Sequence, residues 1–207
     1  MPDEDWAVLP LSWGGSLRFA APGAGALPSG CRLWVSSLAL LGELARRPRA
    51  GGGRALELGA GTGLVGLGAS ALGYDVVLTD VDDQVLRLLR GNVKRGRSAA
   101  AVQRLDFTDA YDVAALGTFD LVLASECAYE HGVAERLGAT LAALLAPGGV
   151  ALIANRDRPL PGPPIREVPE QLFAAQGEGV RLDVSSGAPS RGGITDSSRD
   201  SQNLWRC

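Results

Sequence analysis

The sequence has few of the residues that form metal centres and disulfide frameworks. Its 207 residues include one histidine, His131, and three cysteines, Cys31, Cys127 and Cys207. A single histidine excludes a multi-histidine metal site, and the cysteine spacing is unlike that of zinc ligands or of a disulfide framework. We therefore expect reduced thiols and no bound metal. His131 is interpreted as a helix-start residue, with a catalytic base as the alternative.

Basic clusters and long apolar runs are also scarce. The formal net charge is -3, and the small basic groups within residues 46–49 and 94–97 lie at the ends of predicted helices, where the helix dipole favours cations. This distribution argues against a nucleic-acid partner, because counterion release requires clustered Lys and Arg. The acidic residues 1–5 are unlike a secretory leader, and no apolar run approaches the roughly 18 residues of a membrane-spanning helix. We expect a soluble cytoplasmic protein, present also in the nucleus, without a membrane partner.

The most informative segment covers residues 55–64, which read Ala-Leu-Glu-Leu-Gly-Ala-Gly-Thr-Gly-Leu. A short apolar strand here leads into Gly59, Gly61 and Gly63, where the backbone can turn tightly and bring its N–H groups close to a ligand. A helix follows, and a second strand closes with Asp80, about 20 residues beyond the glycines, where a carboxylate can accept ribose hydroxyl hydrogens. This pattern is typical of a nucleoside-cofactor site, with a simple turn as the alternative role of Asp80.

Glu57 distinguishes between the cofactors that use such a site. The dinucleotide pattern G-x-G-x-x-G is matched only by Gly61, Gly63 and Gly66, a frame that begins two residues further from the strand. A carboxylate at Glu57 would repel a pyrophosphate, whereas S-adenosylmethionine has no pyrophosphate and offers a cationic amino group. The segment therefore favours S-adenosylmethionine. A nicotinamide or flavin dinucleotide and a glycine-rich packing turn remain as alternatives.

Strands and helices alternate along most of the chain. We predict a β-hairpin within residues 6–20, a helix at 31–47, strands at 55–58, 75–79, 101–105, 119–124 and 150–154, and intervening helices from 64, at 82–95 and at 131–145. Beyond Ile153 we predict a helix at 169–175, strands at 180–184 and 203–207, and a polar segment at 185–202. Such alternation predicts an α/β fold with a parallel sheet.

The length suits one domain. Within residues 1–207 we assign 1–30 to the hairpin and a connector, 31–155 to the cofactor-binding core and 156–207 to the C-terminal part of the sheet and the acceptor region. Ligands of parallel sheets bind at the carboxyl ends of the strands, where Gly59, Asp80, Asp106 and Glu126 all fall.

The ordered landmarks of residues 30–154 resemble those of the family 16, or methyltransferase-like 21, type of seven-β-strand methyltransferases, most of whose characterised members modify lysines in non-histone proteins. The landmarks are Leu33-Trp34, the segment 57–66, Thr79-Asp80, Asn92, Leu105-Asp106-Phe107 and 124–129. The resemblance implies a Rossmann-like seven-strand sheet, mostly parallel with an antiparallel C-terminal strand, and an N-terminal β-hairpin extension.

The resemblance also implies a set of residues that contact S-adenosylmethionine. They are Trp34, Gly59, Ala60, Gly61, Asp80, Phe107 and Ala124. The reasoning from the residues themselves adds Glu57, and adds Asp106 as a partner of the adenine amino group. Trp34 could instead be a helix-to-sheet anchor, and Asp106 could instead begin a turn.

Two positions depart from the family pattern. Phe107 stands where the family usually has tryptophan, and the usual Asp-x-x-Tyr signature is Glu126-Cys127-Ala128-Tyr129 here. We predict that Glu126 and Tyr129 are catalytic, with Glu126 capturing and orienting the arriving amine. As alternatives, Glu126 caps the following helix and Tyr129 packs in the core.

We expect a monomeric enzyme acting on a protein substrate, most simply on lysine. The departure at Glu126 leaves arginine, histidine or a small molecule as alternative acceptors. A catalytically inactive cofactor-binding scaffold is the remaining alternative.

Overall fold

The computed structural model describes residues 6–22, 28–46, 52–155 and 203–206. Within them, six strands form one sheet in the order β5-β4-β3-β6-β7-β8. The strands are β3 Arg54–Leu58, β4 Asp75–Asp80, β5 Ala101–Arg104, β6 Phe119–Ser125, β7 Leu145–Asn155 and β8 Asn203–Arg206. The pairings from β5 to β7 are parallel, and β8 pairs antiparallel with β7. The predicted α/β class, the mostly parallel sheet and the antiparallel C-terminal strand are confirmed.

The predicted N-terminal hairpin is present as a separate two-stranded sheet. Its strands, β1 Trp6–Pro10 and β2 Ser16–Ala20, pair antiparallel with Trp6 opposite Ala20. Leu17 and Phe19 alternate with exposed neighbours along β2 and are buried in the main core. The hairpin is therefore packed against the domain core, to which Leu9 of β1 also contributes.

Helices cover both faces of the sheet because alternate residues of the central strands point in opposite directions. The helices are α1 Val35–Arg46, α2 Leu64–Ala71, α3 Asp83–Arg95, α4 Ala110–Ala114 and α5 His131–Leu144. Ala55 of β3 belongs to a core cluster formed with α1, α2 and α3. Leu56 and Leu58 belong to a second cluster, formed with α4 and α5. This burial on both faces explains the nearly continuous apolar character of the central strands.

The first helix begins later than the sequence predicted. Residues Ser29–Cys31 form a single 3-10 turn, and Arg32 is extended, with φ -96° and ψ 151°. The helix therefore begins at Val35 rather than at Cys31, and Trp34 precedes it. An extended residue cannot continue the helical hydrogen-bond ladder, which is why the turn and α1 remain separate.

The strand predicted at residues 150–154 begins earlier, at Leu145. Phe119 of β6 pairs with Leu145 and Leu121 pairs with Val150, so the register shifts between them. Residues 147–149 thus form an irregularity inside β7, with Gly148 at φ 77°. The predicted helix 169–175, strand 180–184 and polar segment 185–202 lie outside the described residues. Of the helices described, none has the length and apolar character that a membrane crossing requires.

Candidate functional site

A cleft of about 750 Å³ lies at the carboxyl ends of the central strands. Ten of the eleven predicted site residues line it. These are Trp34, Glu57, Gly59, Ala60, Gly61, Asp80, Asp106, Phe107, Glu126 and Tyr129. The volume falls within the range of pockets that hold small molecules and cofactors. The parallel topology explains the convergence, because it brings strand ends that are far apart in sequence to one edge of the sheet.

The glycine turn after β3 requires its glycines for two reasons. Gly59 and Gly61 have φ of 55° and 56°, in the left-handed region that residues with a Cβ rarely adopt. A Cβ at Gly59 would also lie 2.9 Å from Cys127 Sγ, and one at Gly61 would lie 2.7 Å from the carbonyl oxygen of Gly30. A side chain at either position would therefore clash with neighbouring atoms as well as strain the backbone.

Asp80 is fixed at the end of β4 by the backbone around it. Its Oδ2 accepts a hydrogen bond from Gly61 N–H at 3.2 Å, and its Oδ1 accepts from Val81 at 2.8 Å and from Asp82 at 3.1 Å. Burial raises the pKa of this carboxyl, while the three N–H donors act in the opposite direction. Asp80 thus joins the glycine turn to the start of α3 and presents a positioned carboxylate to the cleft.

Glu57 lies beneath the glycine turn rather than at its surface. Its side chain is 2% exposed, and Oε2 accepts a hydrogen bond from Gly66 N–H in the first turns of α2 at 2.8 Å. Burial raises the pKa of Glu57 to about 8. At neutral pH the group is therefore largely protonated, and a bound cation nearby would favour its ionisation.

Asp106 and Phe107 form the wall that follows β5. Asp106 Oδ1 accepts from both the backbone N–H and the hydroxyl of Thr108, at 2.9 and 2.7 Å, and these bonds lower the pKa of the Asp106 carboxyl. This local turn corresponds to one of the two roles predicted for Asp106, although the residue also lines the cleft. Phe107 is held by its carbonyl oxygen, which accepts from the Thr140 hydroxyl of α5 at 2.6 Å.

Trp34 and Ala124 occupy contrasting positions. Trp34 lines the cleft just before α1, and its indole nitrogen donates to the carbonyl oxygen of Ser29 at 3.2 Å. Ala124 is fully buried in β6, where it pairs with Leu58 and Ile153 in the second core cluster. Of the predicted site residues, Ala124 alone is absent from the cleft lining, and its contact with a cofactor stays a prediction.

Glu126 follows β6 in an unusual backbone conformation. Its φ is 57°, one of two positive values at non-glycine residues in the described parts of the chain. Its N–H donates to the carbonyl oxygen of Ala154 in β7 at 2.8 Å, and its Oε1 accepts a hydrogen bond from the Ser36 hydroxyl of α1. The cap residue of α5 is Glu130, so the alternative in which Glu126 caps that helix is wrong.

Tyr129 lies at the mouth of the cleft. Residues 126–130 are not helical, so Tyr129 reaches the cleft from the irregular segment between β6 and α5. The Tyr129 side chain is 50% exposed, which excludes the core-packing alternative. Partial burial raises the pKa of its phenol, which therefore stays protonated at neutral pH.

The charge of the lining distinguishes between the cofactors considered. Apart from Glu57, which is buried and largely protonated at neutral pH, five acidic side chains and two basic ones line the cleft. The five are Asp80, Asp82, Asp106, Glu126 and Glu130, and the basic residues are Arg32 and Arg136. An acidic cleft attracts a ligand with a sulfonium and an amino group and opposes a pyrophosphate. The residues present therefore fit S-adenosylmethionine better than a dinucleotide.

Sequence reasoning missed three polar contacts that shape the site. Ser36 bonds Glu126, the Cys127 thiol donates to the carbonyl oxygen of Leu58 at 3.1 Å, and Asn92 bonds the carbonyl oxygen of Thr62 at 2.8 Å. Burial raises the pKa of Cys127 to about 12, so its thiol stays neutral. Asn92 was noted only as a landmark, and no local pattern marks any of these long-range contacts.

The fold is similar to that of a solved structure of a methyltransferase family protein. One similar solved structure is an O-methyltransferase family protein from Burkholderia thailandensis, with a TM-score of 0.52 and 16% sequence identity, covering 59% of this chain and 38% of that one. At this identity the likeness concerns the fold alone. It confirms the methyltransferase type of α/β fold that the sequence predicted.

Sequence comparison identifies the family. The model of the lysine methyltransferase family matches residues 24–173, most of the chain, which therefore belongs to that family. S-adenosylmethionine is accordingly the cofactor of the chain, and the acidic lining of the cleft suits the positive charge of this ligand.

Two relatives with assigned functions are similar over about half of the chain. "Protein N-lysine methyltransferase METTL21A" of Danio rerio is 35% identical over 111 residues, covering 52% of this chain and 51% of the relative. "EEF1A lysine methyltransferase 3" of Mus musculus is 33% identical over 110 residues, covering 52% and 47%. The chain thus spans about half the length of the curated relatives it matches.

Proposed function

We propose that the protein transfers a methyl group from S-adenosylmethionine to a lysine side chain of a protein. The observation that carries the proposal is the position of Glu126, a carboxylate on the acidic cleft held by Ser36 of α1 and by Ala154 of β7. Membership of the lysine methyltransferase family and the names of the relatives support lysine as the acceptor.

The bound cofactor would supply an electrophilic methyl group for in-line displacement, and the protein would align the acceptor with it. A lysine ammonium has an unperturbed pKa of roughly 10.4, so it must lose a proton before it can attack. Desolvation in the cleft promotes this loss, whereas a carboxylate opposes it. We therefore assign Glu126 to capturing and orienting the ammonium, with proton acceptance as a secondary role. The protonated phenol of Tyr129 would line the entrance and hydrogen-bond the amine.

Labelling of lysate proteins tests the proposal. Purified protein is incubated with labelled S-adenosylmethionine and cell lysate, and the modified residue is identified by mass spectrometry. We expect a selective set of labelled bands carrying methyl-lysine. Glu126→Gln should lower the initial labelling rate by about tenfold or more, since it removes the charge that meets the ammonium.

Glu135→Gln is the matched control. Glu135 carries the same kind of charge on α5, but it is exposed and is not among the described residues that line the cleft. Its labelling rate should stay within about twofold of wild type. Methyl-arginine or methyl-histidine in the labelled bands would reassign the acceptor, and cofactor binding without any label would indicate a scaffold.

We also propose a monomer located in the cytoplasm and nucleus. The two cysteines in the described residues, Cys31 and Cys127, are buried free thiols, as expected in a reducing compartment. Light scattering after size exclusion and cell fractionation test these two proposals. A stable dimer or a secreted pool would contradict them.

A further inference from the structure

Two neighbouring serines join the start of α1 to the end of β6. The Ser36 hydroxyl donates to Glu126 Oε1, and the hydroxyls of Ser37 and Ser125 hydrogen-bond each other at 3.1 Å. Ser36 is only 3% exposed. The bonds connect residues 90 and 88 positions apart in the sequence, so they depend entirely on how α1 packs on the sheet.

This junction holds a residue whose backbone conformation is unfavourable by itself. A residue with a Cβ rarely adopts a φ of 57°, as Glu126 does, and such conformations persist where the surrounding structure determines them. The Glu126 N–H bond to Ala154 anchors its backbone to β7, and the Ser36 bond anchors its side chain to α1. The carboxylate is therefore positioned from two sides before any substrate arrives.

The same junction lies next to the cofactor side of the cleft. Trp34, which lines the cleft, is two residues before Ser36, and the carbonyl oxygen of Trp34 accepts from the Ser37 N–H at 3.0 Å. The start of α1 also carries the positive end of a helix dipole, which stabilises a carboxylate held against it. One short segment thus contacts both the cofactor cleft and the carboxylate at its rim.

We propose that Ser36 is a positioning residue that acts through Glu126. Its hydroxyl holds one carboxylate oxygen so that the group meets the arriving lysine in a single orientation, which lowers the entropy lost when the acceptor binds. This inference rests on the proposed function. It goes further by assigning the orientation of Glu126 to a residue outside the signature segment 126–129.

Steady-state kinetics with variants at the junction test the inference. Lysate protein at a series of concentrations is the acceptor, with labelled S-adenosylmethionine as donor. Ser36→Ala should raise the apparent KM for acceptor by about tenfold, because a charge-assisted hydrogen bond that orients Glu126 is lost. Its affinity for S-adenosylhomocysteine, measured by calorimetry, should stay within about twofold of wild type. Ser36→Thr, which keeps a hydroxyl, should restore the KM.

Ser70→Ala is the matched control, because it removes a hydroxyl bond of the same kind, to Ser98, at a residue that is not among those lining the cleft. Its KM should stay within about twofold of wild type.

A double variant tests whether Ser36 acts through Glu126. In a Glu126→Gln background, Ser36→Ala should change the apparent KM by less than about twofold, since the two residues act as one unit. If Ser36→Ala does not fold, Ser36→Cys replaces it as a near-isosteric variant with a weaker donor.

The outcomes separate this inference from the proposed function. Equal effects of Ser36→Ala and Ser70→Ala, or additive effects of Ser36→Ala and Glu126→Gln, would overturn the positioning role while methyl transfer by wild type stands. A wild-type protein that binds S-adenosylhomocysteine but labels no protein would overturn the proposed function, and the positioning role with it.

Discussion

Asn92 of α3 binds both backbone polar groups of Ala20 at the end of the N-terminal hairpin. Its Oδ1 accepts from Ala20 N–H at 2.8 Å, and its Nδ2 donates to the Ala20 carbonyl oxygen at 3.1 Å. The same Nδ2 donates to the carbonyl oxygen of Thr62 in the glycine turn at 2.8 Å. One fully buried amide therefore connects the hairpin, α3 and the turn that lines the cofactor cleft. It satisfies polar groups that could not reach water.

Replacing Asn92 should destabilise the domain strongly. Asn92→Ala leaves the N–H and carbonyl of Ala20 and the carbonyl of Thr62 without this partner, so we expect a loss of about 2–4 kcal/mol in the free energy of unfolding. Urea denaturation measures it. Gln84→Ala, at an exposed position of the same helix, should change stability by less than about 0.5 kcal/mol. Comparable values for the two variants would refute the bridging role.

Replacing each of two helical glycines with alanine should change the stability of the domain in opposite directions. A Cβ at Gly66 would lie 2.1 Å from Leu78 Cδ2 and 2.7 Å from Glu57 Oε2, both buried, so Gly66→Ala should destabilise by about 1–3 kcal/mol. A Cβ at Gly91 in α3 meets nothing within 4 Å, so Gly91→Ala should stabilise by about 0.5–1 kcal/mol through helix propensity. Thermal and urea unfolding measure both, and shifts of the same sign would contradict the packing argument.

The raised pKa of Glu57 predicts a specific pH dependence of stability. The folded state keeps the proton up to about pH 8, whereas the unfolded chain releases it near the ordinary value of 4.5. The unfolded state binds fewer protons in this window, so the contribution of Glu57 to stability is fully present below pH 4.5 and is lost as the pH rises towards 8. Glu57→Gln, which carries no titrating group, should flatten this part of the profile. Parallel profiles for wild type and variant, from urea denaturation at several pH values, would show that Glu57 is not the cause.

Asp80 should determine cofactor affinity. Asp80→Ala removes a carboxylate that lines the cleft and accepts hydrogen bonds from Gly61, Val81 and Asp82, so the Kd for S-adenosylhomocysteine should rise at least about tenfold. Calorimetry measures the Kd. Asp83→Asn is the control, because the Asp83 side chain is 75% exposed and pairs with Arg104 at the surface. An unchanged Kd for Asp80→Ala would exclude a role of Asp80 in cofactor binding.

Local sequence patterns were sufficient to predict most of the strands and helices. The strand that became β3, the glycine turn and the helix α3 were predicted within one residue of their observed bounds, because periodicity and capping depend on near neighbours. Asp82, for example, caps α3 through its own side chain, which accepts from Gln84 and Val85 N–H. Where a boundary was misjudged, at Val35 and Leu145, longer-range packing and register decided it.

The composition of the site could also be predicted in large part, but its arrangement could not. Parallel β-α-β order brings strand ends together, so the convergence of Gly59, Asp80, Asp106 and Glu126 follows from the order of elements alone. Whether Asp106 turns onto Thr108, or whether Tyr129 is exposed, depends on side-chain packing that no periodicity encodes.

The sequence by itself determined the α/β class, the family and the edge of the sheet at which the cleft lies, because these depend on short motifs and on the order of strands and helices. Only the tertiary structure decided that Ser36 holds Glu126, that Asn92 joins the hairpin to the glycine turn and that Glu57 is buried. The physical reason is distance along the chain. These hydrogen bonds join residues 90, 72 and 30 positions apart, and the pKa of a carboxyl depends on the solvent that packing removes.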